Sequence, residues 1–123
     1  MIAIGTDILE ISRLEAVVER VGNRFVERIL TPAEREEFKK SKLPLRLLAK
    51  RFAAKEAIAK ALGTGIGRGV SWQDMQVLHD MKGAPEVKLN GGALATARQC
   101  GGQHVLLSLA DERDYVVAFA VLV

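Results

Sequence analysis

The sequence has little cysteine or histidine, no long apolar run and no strong excess of either charge. Its single cysteine, Cys100, excludes an intramolecular disulfide and fits a reducing, cytoplasmic setting. Only two histidines are present, His79 and His104, and without a spaced His/Cys cluster a structural zinc site is not expected. No apolar stretch approaches the length that spans a bilayer, so no membrane association is expected. The N-terminus carries no basic segment and Asp7 breaks its apolar run, which argues against a signal peptide. A net charge of +3 is too mild to point to a nucleic-acid partner. Repeats, low-complexity tracts and linkers are missing as well. What remains is 49% hydrophobic and 27% charged over 123 residues, an ordinary globular composition that predicts one domain, 1–123.

The stretch that organises this domain runs from Leu45 to Leu62 and contains Arg51-Phe52-Ala53-Ala54-Lys55-Glu56-Ala57-Ile58-Ala59-Lys60. Its alanine, leucine, lysine and glutamate predict one long helix, ended by Gly63. Phe52, Glu56 and Lys60 then rise along one face, four residues apart. Leu47, Ala54, Ile58, Ala61 and Leu62 form an apolar stripe beside it. A carboxylate and an ammonium one turn apart suit a metal and a phosphate; a surface ion pair is the plainer reading of the same spacing. At the N-terminus, Met1 to Ile11 reads as a β-strand with Asp7 inside a hydrophobic run. An ionised Asp there needs a partner, a hydrogen bond or a cation; a turn at Thr6-Asp7 or a pairing with an arginine would also serve.

Ser12 is the expected N-cap of a first helix over Arg13–Arg20, with Glu15 at the capping-box position, and Gly22-Asn23 ends it. A second helical piece, Arg24 to Ile29, follows. Thr31-Pro32-Ala33-Glu34 starts a third helix, which runs to about Lys40. The glycine-rich Gly63–Gly69 segment follows a helix, so it is neither a P-loop nor a dinucleotide fingerprint. Its backbone N–H groups and Thr64 suit an anion, and a flexible connection suits the same residues. Strands are expected at Met75–Leu78 and Glu86–Leu89, a short helix at Ala93–Cys100, and an antiparallel hairpin of His104–Leu109 with Tyr115–Val123. The last strand is apolar on both faces, which in so small a protein predicts that another subunit covers one of them. His79 reads as an exposed neutral side chain, and His104 shares a strand face with Leu106 and Ser108. Arg13, Arg20, Arg24 and Arg28 crowd into two adjoining helices, either a solvated face or a dock for an acidic protein.

Together these pieces resemble the holo-[acyl-carrier-protein] synthases, small phosphopantetheinyl transferases. The matching residues are Gly5-Thr6-Asp7-Ile8 with Glu10-Ile11, the block from Arg51 to Ala57 with Lys60-Ala61, and Gly63-Thr64-Gly65. Gly83-Ala84-Pro85 and the terminal hairpin, Ser108–Asp111 to Tyr115–Ala118, complete the set in the family's order. Leu106 departs from the pattern, standing where relatives often carry a histidine, so no histidine is assigned to catalysis. The resemblance implies an α+β fold, an antiparallel sheet with one long central helix and several short ones, and a homotrimer with sites between subunits. It also implies Mg²⁺-dependent transfer of 4′-phosphopantetheine from coenzyme A to a serine of apo-acyl-carrier protein, releasing adenosine 3′,5′-bisphosphate and serving fatty acid biosynthesis.

By the same resemblance Asp7 and Glu56 hold the metal, Glu56 and Lys60 are catalytic, and Arg13, Arg24 and Arg28 meet the carrier. Arg46, Arg51, Lys60, Thr64, Gly65, Gly83 and Pro85 are the candidates for gripping coenzyme A. The residue types suit these roles. Phosphoryl transfer is mainly positioning and charge stabilisation, and Mg²⁺ takes one or two carboxylates beside phosphates and water. Lys60 would neutralise charge on the transferred phosphate, with Glu56, acting through a water on the metal, as the base. Another Mg²⁺-dependent transferase, or a non-catalytic module binding an acidic helical protein, would use the same residues differently.

Overall fold

The alanine-rich stretch folds as expected into a single long helix, and a computed structural model describing residues 2–123 shows the rest of the chain built around it. In order the elements are β1 (Ala3–Glu10), α1 (Ile11–Val21), α2 (Asn23–Ile29), α3 (Pro32–Lys40), α4 (Pro44–Ala61), β2 (Met75–His79), β3 (Pro85–Leu89), α5 (Gly91–Gln99), β4 (Val105–Asp111) and β5 (Tyr115–Leu122). A 3-10 turn at Trp72–Asp74 leads into β2. The fold is α+β, with a three-stranded antiparallel sheet ordered β1-β5-β4 and a separate β2-β3 hairpin. Met1 of the expected first strand lies outside the described residues. Thr6 and Asp7 are not a turn; they sit mid-strand, opposite Phe119 and Ala118.

Helix α4 is buried on nearly every side rather than along one stripe. Leu48, Ala49, Ala53, Ala54, Ala57, Ile58 and Ala59 are all buried, packed between the sheet and the shorter helices. Alanine is common here because small side chains let neighbouring elements come close to the helix axis. The closest approach is at Gly5 of β1, where a Cβ would overlap the Ala57 carbonyl oxygen and lie 2.6 Å from the Ala61 nitrogen. Gly63, with φ of 79°, takes the left-handed conformation that ends the helix, and its N–H donates to the Lys60 carbonyl at 3.0 Å. The amides of Thr64 and Gly65 both donate to the Ala59 carbonyl, at 3.3 and 3.1 Å. These two amides are thus engaged in closing α4.

One capping expectation fails and another holds. Helix α1 begins at Ile11 with Glu10 as its N-cap and no side-chain cap bond, so Ser12 lies within the helix. The reason is that β1 continues into the helix, and the Ile11 N–H is already held by the Asp114 carbonyl at 2.8 Å. Helix α3 has the full capping box: the Thr31 N–H donates to Glu34 Oε1 at 2.8 Å and the Glu34 N–H to Thr31 Oγ1 at 3.3 Å.

Candidate active site

Strand β1 presents Gly5 and Asp7 to α4, because alternate residues share a face. The tight Gly5 contact fixes the strand against the last turns of the helix, so Asp7 meets the side chains that rise there. Lys60 Nζ donates to Asp7 Oδ1 at 3.1 Å and to the Thr6 carbonyl at 3.0 Å. The Asp7 side chain is 15% exposed and that of Lys60 51%, which places the pair at the mouth of the contact. Glu56 stands one turn earlier and is partly buried. Burial pushes its carboxyl above the usual carboxylate range, the charge of Asp7 raises it further, and Lys60 pulls it back. Two carboxylates and an ammonium, distant in sequence, thus act on one another.

This donor set fits a hard divalent cation. Both ligands offer carboxylate oxygen, and the mutual repulsion that raises Glu56 is what a cation between them would relieve. Among the described residues no three His, Cys, Asp or Glu side chains gather as a metal cluster. Asp7 and Glu56 would then be two carboxylate ligands, a number that leaves Mg²⁺ free to take phosphate and water oxygens.

The other predicted residues lie elsewhere in the protomer. Arg46 pins the β4–β5 turn, donating to Asp111 Oδ2 at 2.9 Å and to the Glu112 and Arg113 carbonyls at 2.7 and 2.8 Å. Arg51 is nine residues before Lys60 and therefore about 180° round the helix. It is buried, donates to Glu37 Oε2 at 3.0 Å and lies 3.3 Å from His79 Nδ1, with Nε and one terminal nitrogen unpartnered. His79 is exposed, as the sequence suggested, and its Nδ1 also lies 4.0 Å from Glu37 Oε1. The Thr64 hydroxyl donates to the Gly65 carbonyl. Gly83 occupies the β2–β3 turn with φ of 86°, and Pro85 opens β3 opposite His79. Arg13, Arg24 and Arg28 are exposed on α1 and α2, and none forms an ion pair among the described residues.

Sequence reasoning missed the group that holds these elements together. Lys55, next to Glu56, is completely buried and donates to Glu34 Oε1 at 2.7 Å, the Ile29 carbonyl at 2.6 Å and the Trp72 carbonyl at 3.1 Å. Glu34 Oε2 accepts from the Val77 N–H at 2.7 Å. Burial lowers the Lys55 ammonium and Glu34 opposes that shift. The available signal was a lysine set among alanines beside the apolar stripe. Gln73 was missed too: its Nε2 donates to the Glu27, Arg28 and Leu30 carbonyls at 3.1, 3.0 and 2.9 Å, capping the helix that carries Arg24 and Arg28.

Known proteins share both the sequence and the fold. Residues 3–120 match the 4′-phosphopantetheinyl transferase superfamily. The chain is 53% identical over 122 residues to holo-[acyl-carrier-protein] synthase of Shewanella frigidimarina, covering 99% of this chain and 97% of that protein. The crystal structure of the Neisseria meningitidis holo-[acyl-carrier-protein] synthase superposes with a TM-score of 0.93 at 43% identity, covering 99% and 98% of the two chains. The Helicobacter pylori synthase in complex with coenzyme A superposes with a TM-score of 0.84 at 32% identity, covering 98% and 99%. Agreement along nearly the whole chain, in sequence and in fold, places this protein in the 4′-phosphopantetheinyl transferase superfamily, among the holo-[acyl-carrier-protein] synthases.

Proposed function

We propose that the Asp7–Glu56–Lys60 site transfers 4′-phosphopantetheine from coenzyme A to a serine of apo-acyl-carrier protein and releases adenosine 3′,5′-bisphosphate. The observation that supports this most is the convergence of Asp7 and Lys60, 53 residues apart, beside a Glu56 whose carboxyl both burial and Asp7 raise. Asp7 and Glu56 would hold Mg²⁺, which supplies charge neutralisation on the diphosphate of coenzyme A. Lys60, half exposed at the mouth of the site, meets the charge that builds on the phosphoryl group being transferred. Glu56, acting through a water on the metal, would take the proton of the attacking serine. The serine oxygen forms the new bond to phosphorus as the bond to the nucleotide's bridging oxygen breaks.

The three exposed, unpaired arginines, Arg13, Arg24 and Arg28, offer an acidic carrier uncompensated positive charge. Arg46, Arg51, Thr64, Gly65, Gly83 and Pro85 are assigned to coenzyme A through the family resemblance. Because Arg51 points away from Lys60 in one protomer, its part would be played in a neighbour's site. A homotrimer with shared sites accommodates that arrangement, and the sheet has a surface for it. Ile4 and Ile8 on β1, Val117 and Phe119 on β5 and Leu106 on β4 form one exposed apolar face, with Ile8 66% and Leu106 59% exposed. Among the described residues no helix is long and apolar enough to cross a membrane; together with the lone cysteine this supports work in the cytoplasm, by a single domain over 1–123. The test is the mass of an apo carrier incubated with the protein, coenzyme A and Mg²⁺. It should rise by one phosphopantetheine arm, and EDTA should stop the rise; an unchanged mass across several carriers would overturn the reading.

A further inference from the structure

The helix that carries Arg24 and Arg28 is too short to hold itself in place. At seven residues, α2 falls below the length of about 12–15 at which an isolated helix becomes even marginally stable in water. No side chain caps its N-terminus. Its stability and its direction must therefore come from its neighbours.

Those neighbours meet it at the C-terminal end, where a helix leaves its last four carbonyls without partners of its own. The Val26 carbonyl is taken by the Leu30 N–H at 2.9 Å. Every other one is taken by a side chain from another element. Lys55 of α4 donates to the Ile29 carbonyl at 2.6 Å. Gln73, in the 3-10 turn, shares its amide hydrogens among the carbonyls of Glu27, Arg28 and the capping Leu30, at 3.1, 3.0 and 2.9 Å. The turn is itself tied to Lys55, whose ammonium donates to the Trp72 carbonyl at 3.1 Å. A third link is aromatic: ring centroids are 6.1 Å apart for Phe25 of α2 and Phe52 of α4, and 5.0 Å apart for Phe52 and Trp72. All of these links end on α4 within about one turn of Glu56, beside Lys55 and four residues beyond Phe52. Hydrogen bonds are directional where apolar packing is not, so they fix the rotation of α2 as well as its distance.

We propose that Gln73 and Lys55 are positioning residues for the carrier. They hold Arg24 and Arg28 at a fixed bearing from Glu56, so that a docked acidic protein brings its serine to the Asp7–Glu56–Lys60 site. This role presupposes that those arginines dock the carrier. Arg13 stands outside the arrangement, because α1 grows directly from β1, with its Ile11 N–H held by the Asp114 carbonyl at 2.8 Å.

Lys55→Met would leave the Glu34 carboxylate buried without its partner, a change severe enough to unfold the protein. Gln73 is exposed, so Gln73→Ala isolates the effect. In the intact protein without ligands, amide hydrogen exchange in α2 should speed up by about tenfold, while α4 keeps its wild-type rates. Titration with a labelled apo-acyl-carrier protein should show Gln73→Ala binding about fivefold more weakly, with coenzyme A binding unchanged. Once Arg24→Ala/Arg28→Ala is in place, Gln73→Ala should cost nothing more; beside Arg13→Ala it should keep its full factor. Wild-type exchange in α2, or exchange that speeds up equally in α4, overturns the proposal. So does wild-type carrier affinity in Gln73→Ala, or an equal loss of coenzyme A binding. A full effect of Gln73→Ala in the absence of both arginines would make Gln73 a direct contact and overturn it too. Should the wild-type protein fail to bind the carrier, the docking role of the arginines falls, whatever the exchange rates show.

Discussion

Glu56 carries two burdens that pull its protonation in opposite directions. As the proposed ligand and base it would have to be ionised, while burial and the charge of Asp7 favour the neutral acid. A carboxyl raised in the folded state binds protons that the unfolded chain has released, so stability falls as pH rises from the ordinary carboxylate value through the folded one. In the metal-free protein, Glu56→Gln should therefore raise the melting temperature at neutral pH. The gain should vanish below the ordinary carboxylate value of about 4.5, where both states are protonated. A gain that persists unchanged in acid would show that charge is not the cause. Asp7 and Glu56 were legible as separate acids, one inside a strand and one on a helical face, but their proximity was not, because nothing in local pattern measures a distance across 49 residues. Lys55 was opaque for a related reason. Its three oxygen partners belong to α2, α3 and the 3-10 turn, and only tertiary packing turns a helix-forming lysine into a buried hub.

Elements were easier to read than their contacts. Helix α4, the hairpin of β4 with β5 and the Thr31 start of α3 follow from propensity, alternation and capping, forces that act within a few residues. Sequence could not reveal that β1 lies beside β5, at the far end of the chain, or that Gly5 is where strand and helix touch. Gly5 reads as a mild strand defect, yet its missing side chain lets α4 approach β1. Gly5→Ala puts a methyl group into the backbone at Ala57 and Ala61. Overpacking of this kind costs about 1–3 kcal/mol, and here the clash is with main chain, which yields less than a side chain. Calorimetry should show a clearly lowered melting temperature, and kcat should fall as Asp7 moves from Lys60. Unchanged stability with unchanged turnover would mean that the strand–helix contact does not set the site.

At the scale of the whole molecule, a protomer of 123 residues leaves one face of its main sheet uncovered. β5 alternates strictly, with Val116, Ala118, Ala120 and Leu122 buried against α4 and its neighbours and Val117 and Phe119 exposed. Phe119→Glu would set a charge opposite Thr6 and Ser108 at the centre of that face. On the proposed trimer, light scattering should then report monomer in place of trimer, with activity lost even though each protomer keeps its own Asp7, Glu56 and Lys60. A variant that stays trimeric, or a monomer with full activity, would remove the shared-site arrangement.

The central claim is that Asp7 and Glu56 share one divalent cation on the diphosphate of coenzyme A. A crystal grown with Mn²⁺ and coenzyme A tests it directly through the anomalous scattering of the metal. The account predicts a single peak about 2 Å from a carboxylate oxygen of each residue, also touching diphosphate oxygens, with Lys60 turned to the phosphate. A peak bound to only one of the two carboxylates, or none between them while coenzyme A is present, would contradict it.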